Sequence, residues 1–510
     1  MADTKREIER KYEATPETRL PDLTKVPGVS AVVDKGVAEL DAVYYDTADL
    51  RLAAASITLR HRTGGADAGW HLKLPVAPGV RDEISAPLSE PIPRTLAALV
   101  RARTRDAELV PVVRLLSSRD VRHLVDADGA LLAELSRDAV RAERLTDGGR
   151  TAQWDEIEVE LADDADPAFL DAVEKKLRKA GVLPAESPSK LARALAETAP
   201  KGERARKAVA PPEHAPRTAG EHILAYLREQ ADALISYDPA VRRDLPDSVH
   251  QMRVATRRMR SAFKTYGKVV DRSVTDPIGE ELKWLAAELG VARDQEVLTE
   301  RLKSRIDSLP RTLLLGPVRG RLRLWSVAHG SGARRKAVAV LDSKRYLALL
   351  ESLDALLADP PLLKAASGEP SRVIPKAVLK DYDRLAARTG HALELPPGEA
   401  RDLAMHDARK AAKRARYAGE AATPPLGKAA RNFARRMKAV QTVLGDHQDS
   451  VVAREALRNL AIQAHAAGES AFSWGLLYGH EEAQAAEREA ELPGVWAKAS
   501  APKLRADLTG

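Results

Sequence analysis

Glu7 and Glu9 near the start of the chain, and Glu158 and Glu160 about 150 residues later, stand two positions apart within alternating apolar segments. In an extended strand residues i and i+2 point to one side, so each pair presents two carboxylates on one face. Ile8 and Tyr12, or Ile157, Val159 and Leu161, lie on the other. The segments between are basic with the same parity: Arg60 and Arg62 share a face, Lys73 sits between Leu72 and Leu74, and Arg81 accompanies Glu83. Oxygen-only ligands suit a hard divalent ion such as Mg²⁺ or Mn²⁺, which also binds phosphates. Bases facing the carboxylates would hold the rest of a phosphate chain while the ion offsets charge and helps to orient water as a phosphoanhydride breaks. The plain alternative is a half-buried sheet whose polar side faces solvent.

A second constellation is written twice. His250, Arg253, Arg257, Arg258 and Arg260 recur as His406, Arg409, Lys413, Arg414 and Arg416, each displaced by 156 positions. At about 100° per residue, His250, Arg253, Arg257, Arg260 and Lys264 form one stripe of a helix, with Met252, Ala255, Met259, Ala262 and Phe263 opposite. Lys410 adds to the second basic row, whereas Glu420 stands where Lys264 would repeat. A solvated face usually mixes signs to gain i,i+4 pairs, so a duplicated basic face points to binding of an anion. Leu289-Gly290 followed by Asp294 echoes Leu444-Gly445 followed by Asp449. Glycine at a helix end and Asp at the next N-cap is one reading; Asp orienting the duplicated bases is the other. His250 and His406 are expected to orient neighbours rather than catalyse, and His447 to be incidental.

The totals divide the chemistry between two regions. Residues 1–200 carry 29 Lys and Arg against 35 Asp and Glu, while the remaining 310 carry 52 against 39. The basic second region implies a polyanionic partner. Sparse aromatics make a base-stacking platform, and hence nucleic acid, an unfavoured partner. The absence of cysteine excludes disulfides and thiolate chemistry. No apolar run approaches a membrane span and the start has no apolar leader, so a soluble cytoplasmic protein is expected.

Strand periodicity covers residues 5–13, 40–46, 56–62, 70–74, 80–86, 112–125, 131–138 and 154–161, with helices at 93–103 and 167–180. If such a sheet closes, its first and last strands become neighbours, bringing the carboxylates to one side of a lumen and the bases to the other. A proline-rich charged stretch at 200–218 reads as a linker between a domain at 1–199 and a helical one at 219–492, with a tail at 493–510. Helical spacing marks 219–236, 247–269, 277–289, 295–307 and 346–358 in one half, about 219–358. In the other, about 372–492, it marks 372–389, 396–422, 426–444, 450–467 and 470–492.

Glu7-Ile8-Glu9-Arg10-Lys11, Tyr44-Tyr45-Asp46-Thr47, Leu59-Arg60-His61-Arg62, Trp70 to Pro75, Arg81-x-Glu83 and Glu156 to Leu161 together resemble the CYTH family, the triphosphate tunnel metalloenzymes. The resemblance implies an antiparallel eight-stranded β-barrel tunnel of α+β class that hydrolyses triphosphates with Mg²⁺ or Mn²⁺. It also implies that Glu7, Glu9, Glu158 and Glu160 lie on the metal side, with Glu134 and Asp138 as additions. Lys11, Arg60, Arg62, Lys73, Arg81, Arg119 and Lys190 would then contact phosphate. Arg114 is a weaker candidate, opposite in parity to Arg119, and Ser118 stands where the family often has a base. The paired basic helices and Leu-Gly-x-x-x-Asp turns resemble the CHAD domain, which implies two four-helix bundles related by a pseudo-twofold and binding of inorganic polyphosphate.

The expectation is a divalent-metal-dependent triphosphatase, acting on inorganic triphosphate, joined to a polyphosphate-binding domain. The alternatives are a polyphosphate-targeting protein without turnover, or a tunnel enzyme acting on an organic triphosphate as thiamine triphosphatase or adenylate cyclase.

Overall fold

The computed structural model describes residues 3–146, 148–200, 215–330 and 332–509. The chain divides into two compact units, residues 1–210 and 211–510. Most of the expected linker, residues 201–214, lies outside the described residues.

The first unit contains eight antiparallel strands: β1 (Asp3–Ala14), β2 (Ala31–Asp46), β3 (Thr58–Thr63), β4 (Gly69–Ala77), β5 (Val80–Ala86), β6 (Val110–Val125), β7 (Leu131–Arg144) and β8 (Thr151–Leu161). They close into a barrel in the order β1-β5-β4-β3-β2-β6-β7-β8. Closure depends on β1, whose first half, Asp3 to Ile8, pairs with β5 and whose second half, Glu9 to Ala14, pairs with β8. That register sets Glu9 opposite Glu160 and Lys11 opposite Glu158.

Alternation turns the apolar residues outward beneath helices and leaves the charged ones to the lumen. Leu170, Val173 and Leu177 of the helix Ala168–Lys179 cover Tyr12, Ile157 and Val159. Leu96, Leu99 and Val100 of Arg94–Thr104 cover Leu59, Trp70, Leu72 and Ile84. A short helix not anticipated from the sequence, Lys190–Glu197, instead lays Leu191 and Ala194 against Val113, Leu115 and Val140, which share the inward parity of Arg119 and Asp138 and form an apolar plug in the barrel. Each such Leu or Ile side chain contributes about 1.5–3 kcal/mol when fully buried, so two outer clusters and one inner plug hold the barrel together.

Among its described residues the second unit is helical, apart from an isolated bridge between Val270 and Leu362. The two basic segments form the helices Ser248–Thr265 and Glu399–Ala421, which bury Met252, Ala255, Met259, Ala262 and Phe263, and Met405, Ala408, Ala411 and Ala415.

Three expectations are corrected here. Residues 426–444 and 450–467 are not separate helices: Thr423–Ala466 runs unbroken through Gly445, and its departure from helical geometry is at Gly427, φ 57°. Gly290 likewise opens a helix, Gly290–Ser308, that contains Asp294. The Asp N-cap reading therefore fails at both positions and the glycine reading at Gly445, while Gly290 does follow the end of a helix, Arg272–Glu288. Residues 493–510 are no loose tail: the helix Phe472–Ala499 continues through Pro493, and Pro502–Thr509 follows. Trp496 stacks on Tyr382 with ring centroids 5.9 Å apart, and Leu508 is buried, so packing outweighs the proline. The helices Val318–Gly330 and Ala333–Leu341 were also unanticipated.

Candidate functional site

The barrel encloses a cavity of about 910 Å³ lined by Glu7, Lys11, Arg60, Arg62, Lys73, Arg81, Arg119, Glu134, Glu158, Glu160 and Lys190. Of the other barrel residues singled out from sequence, Glu9 lines a smaller cavity of about 450 Å³ that shares Lys11 and Arg81 with the first. Asp138 is fully buried beneath Arg119 and Lys190. Arg114 faces outward and pairs with Asp41, as its parity requires.

Acids and bases do not sort to opposite walls. They interleave, because Lys11 shares the inward face of β1 with Glu7 and Glu9. Lys73 Nζ donates to Glu7 Oε1 at 2.6 Å, and Lys11 Nζ bridges Glu9 at 3.1 Å and Glu158. Arg119 reaches Asp138 at 2.7 and 2.8 Å and Glu158 at 2.8 Å. Ser189 caps the helix Lys190–Glu197 by accepting from the Ala192 amide, which aims the first residue of that helix inward. Lys190 Nζ there meets Asp138, Glu156 and Glu158 at 2.8, 2.7 and 2.6 Å. Glu134 lies toward a mouth beside His123, 3.3 Å away, and Glu160 pairs with Lys5 at 2.7 Å.

The fields around these side chains are strong because Glu7, Glu9, Glu158 and Lys190 are buried. Burial raises the Glu7 carboxyl pKa, reinforced by Glu9, Glu83 and Glu160 and only partly opposed by Lys73. Burial also works against ionised Glu158, yet Lys11, Lys190 and Arg119 hold it well below the usual carboxylate range. Glu9 ends below its ordinary value for the same reason, with Lys11 foremost among the cations that overcome its burial. Burial alone would discharge Lys190, but Asp138, Glu158 and Glu156 raise it far above an ordinary lysine. Arg62, buried near Arg60 and Arg119, falls to about 9.

The donor set fits a hard divalent ion. It is oxygen only, and Glu7 Oε2 is buried without a hydrogen-bond donor although Oε1 has one. Oxygens of Asp138, Glu156 and Glu158 also lie within 4.8 Å of one another. Three groups were not singled out as site residues. Glu156 stands in the sequence only as the first residue of the motif Glu156 to Leu161. His71 and Glu83 pair at 2.8 Å inside the lumen, and Glu83 is held far below an ordinary carboxyl as Lys73, His71 and Arg60 overcome its burial. The parity of Glu83 with Arg81 was the available signal.

In the helical unit a cavity of about 680 Å³ lies between the two basic helices and Pro370–Glu394. Arg257, Arg260, Lys264, His406, Lys410, Lys413 and Arg414 line it, joined by Arg384 and Arg388, one helical turn apart and missed in the sequence. Arg257, Arg260, Lys264 and Lys413 make no ion pair among the described residues. Burial and the nearby charges of Arg409 and Arg257 depress Lys413 to about 8.

The repeated glycines and aspartates have a different task from capping. Arg253 donates to Asp294 at 2.9 and 3.2 Å, and a Cβ on Gly290 would lie 2.8 Å from its guanidinium. Arg409 meets Asp449 at 3.2 Å beside Gly445. Each Leu-Gly-x-x-x-Asp segment is thus a cradle for an arginine. Arg258 and Arg416 turn to Glu420, and Arg414 to Asp381 at 2.8 Å. His250 and His406 are depressed, chiefly by burial with neighbouring bases adding to it, so both are neutral at pH 7. His447 is not incidental: it is fully buried, with Nε2 3.2 Å from Asp402 and 3.3 Å from Glu489, in a spacing open to a metal ion.

A closed barrel of paired charges joined to a helical unit with a basic groove matches two known families in the same order. The CYTH domain matches residues 5–195 and the CHAD domain residues 225–458, so the chain belongs to the family in which a CYTH domain is fused to a CHAD domain. It is similar over nearly its whole length, 39% identical over 498 residues and 94% of each chain, to the uncharacterized proteins Rv2226 and MT2285 of Mycobacterium tuberculosis. Among solved structures it resembles PptA from Streptomyces chartreusis, at 21% identity and TM-score 0.46 over 55% of this chain and 99% of that one. It also resembles the CHAD domain from the plant Ricinus communis, at 28% identity and TM-score 0.43 over 58% and 92%. The architecture and its carboxylate clusters are consistent with metal-dependent phosphohydrolase chemistry on a triphosphate. No helix among the described residues is long and apolar enough to cross a membrane.

Proposed function

We propose that the barrel hydrolyses inorganic triphosphate with Mg²⁺ or Mn²⁺, and that the helical unit binds inorganic polyphosphate. The observation that carries the first part is Glu7: a buried carboxylate with one oxygen lacking a donor, facing a lumen that also holds Glu158, Glu160 and at least six bases. Glu7, Glu9, Glu158 and Glu160 would hold the ion, with Asp138 and Glu134 flanking them. When bound, it supplies neutralisation of phosphate oxygens and a bound water of lowered pKa. Arg60, Arg62, Lys73, Arg81, Arg119 and Lys190 bind and orient the phosphate chain. Lys11, held between Glu9 and Glu158, keeps those carboxylates in place and faces the incoming phosphate. Water attacks the terminal phosphorus, the P–O bond to the bridging oxygen breaks, orthophosphate and pyrophosphate result, and a proton passes to solvent.

In the helical unit, Arg257, Arg260, Lys264, Lys410 and Lys413 take the polymer, with Arg253 and Arg409 held in their cradles and His250 and His406 as neutral neighbours. Arg414 lines the groove while tied to Asp381, and Arg258 and Arg416 lie at its edge. The 156-residue repeat supports two four-helix bundles related by an internal twofold. The test is phosphate release by the purified chain from tripolyphosphate with either ion, alongside thiamine triphosphate and ATP, since the lumen is roomier than tripolyphosphate requires. No release from any of them sinks the enzymatic reading.

A further inference from the structure

Glu420 breaks the sign of the internal repeat. Lys264, its counterpart, is next to last in the helix Ser248–Thr265, where a cation suits the negative end of the helix dipole. Glu420 is next to last in Glu399–Ala421, where the same dipole disfavours an anion. Its stabilisation comes instead from two arginines, one from each basic helix. Arg258 Nε and Nη2 donate to Glu420 Oε2 at 3.2 and 3.0 Å, and Arg416 Nε lies 3.3 Å from Oε1. Both guanidiniums stand over the buried ring of Tyr417, with Arg416 4.5 Å and Arg258 6.0 Å from its centroid. Two arginines converging on one pair of oxygens over an aromatic face is the arrangement that would grip a phosphate group. Tyr417 lines the basic groove, so this cluster adjoins it, yet neither Arg258 nor Arg416 lines it.

We propose that Glu420 is an intramolecular substitute for phosphate that closes the Arg258–Arg416 end of the basic surface, confining a polyanion to the groove. This rests on the reading of the helical unit as a polyphosphate binder. The residue then sets how much of a chain is engaged: a short chain fits the groove, while a long one runs on to a position already held by a carboxylate.

The test uses the full-length Glu420→Gln protein, which keeps a hydrogen-bond acceptor for both arginines and removes only the charge. Dissociation constants for short and long inorganic polyphosphate are measured over a range of salt, where the slope of log Kd against log salt reports phosphate contacts. Long-chain affinity is expected to rise about tenfold and the slope to steepen by about one to two contacts, with short-chain affinity changed less than about twofold. Glu351→Gln, on the exposed face of the helix Lys344–Ala358, alters net charge equally and should do neither. An unchanged long-chain slope in Glu420→Gln, or an equal gain in Glu351→Gln, overturns the inference while leaving polyphosphate binding itself standing. If the wild-type chain binds no polyphosphate, the underlying reading falls and takes this inference with it.

Discussion

The two units handle charge in opposite ways. In the barrel every base drawn close to Glu7, Glu9 or Glu158 is spent on a carboxylate, and Lys190 alone touches three of them. In the helical groove Arg257, Arg260, Lys264 and Lys413 face open space without acid partners among the described residues. A lumen of matched charges is stable by itself and changes partners as an ion and phosphates enter. An unmatched basic groove is held apart by its helices and becomes more stable when a polyanion fills it. The first arrangement suits turnover; the second suits retention.

Replacing Glu7 and Glu9 together by Gln should break the comparison most sharply. Phosphate release from tripolyphosphate is expected to fall at least about 100-fold, while polyphosphate affinity, measured in parallel, stays as in the wild type. Loss of both would mean that the units do not divide the work. Lys190→Met comes next. It takes a cation from the buried Asp138, Glu156 and Glu158, leaving Arg119 and Lys11 to offset the first and last only in part, so denaturant unfolding of the barrel should lose about 3–5 kcal/mol. Replacing Arg257 and Lys413 by Gln should weaken polyphosphate binding about tenfold or more and flatten its salt dependence by about two contacts, with tripolyphosphate turnover unaltered.

Two smaller effects sharpen the contrast. Lys413, near 8 in the free protein, binds a polyanion when charged, so affinity should decline as pH rises from about 7 to 9 at constant ionic strength. That decline should be absent in Lys413→Met. The sign for folding is opposite. Between about 8 and the ordinary lysine value the unfolded chain holds more protons at this position, so this residue's contribution to stability grows as pH climbs through that window. Smallest is Gly445→Ala, whose added Cβ meets Arg409 at an ordinary 3.7 Å in mid-helix. It should raise stability by up to about 1 kcal/mol. Gly290→Ala, at 2.8 Å from Arg253, should gain less or lose, as thermal melts of the two would show.

What was legible in the sequence follows from periodicity. Eight alternating segments became eight strands, and parity alone placed Glu7 with Glu9, Glu158 with Glu160, and Arg114 opposite to Arg119. Parity does not say which wall a residue faces, so the interleaving of Lys11 and Lys73 among the carboxylates was invisible until the register was known. The helix that aims Lys190 is eight residues long, too short for a periodic signal to stand out. His447 meets Asp402 and Glu489 from two other helices, contacts that no local pattern encodes. Gly290 and Gly445 looked like breaks because glycine commonly ends helices; at Gly290 the missing side chain makes room for a guanidinium, whereas at Gly445 the helix simply runs on past Arg409.

The divided pairing of β1 has a consequence for biosynthesis. Lys11 and Glu158 touch across 147 positions of chain, and β1 finds its lower neighbour only when β8 has been made. β1 therefore leaves the ribosome well before β8, and the carboxylates of the two strands remain apart until then. Such long-range closure is slow compared with the local contacts of a helical bundle. During translation the closure of the sheet should come as a single late event, timed by the emergence of residue 161 rather than by the folding of any hairpin before it, with Lys190 completing the lumen afterwards.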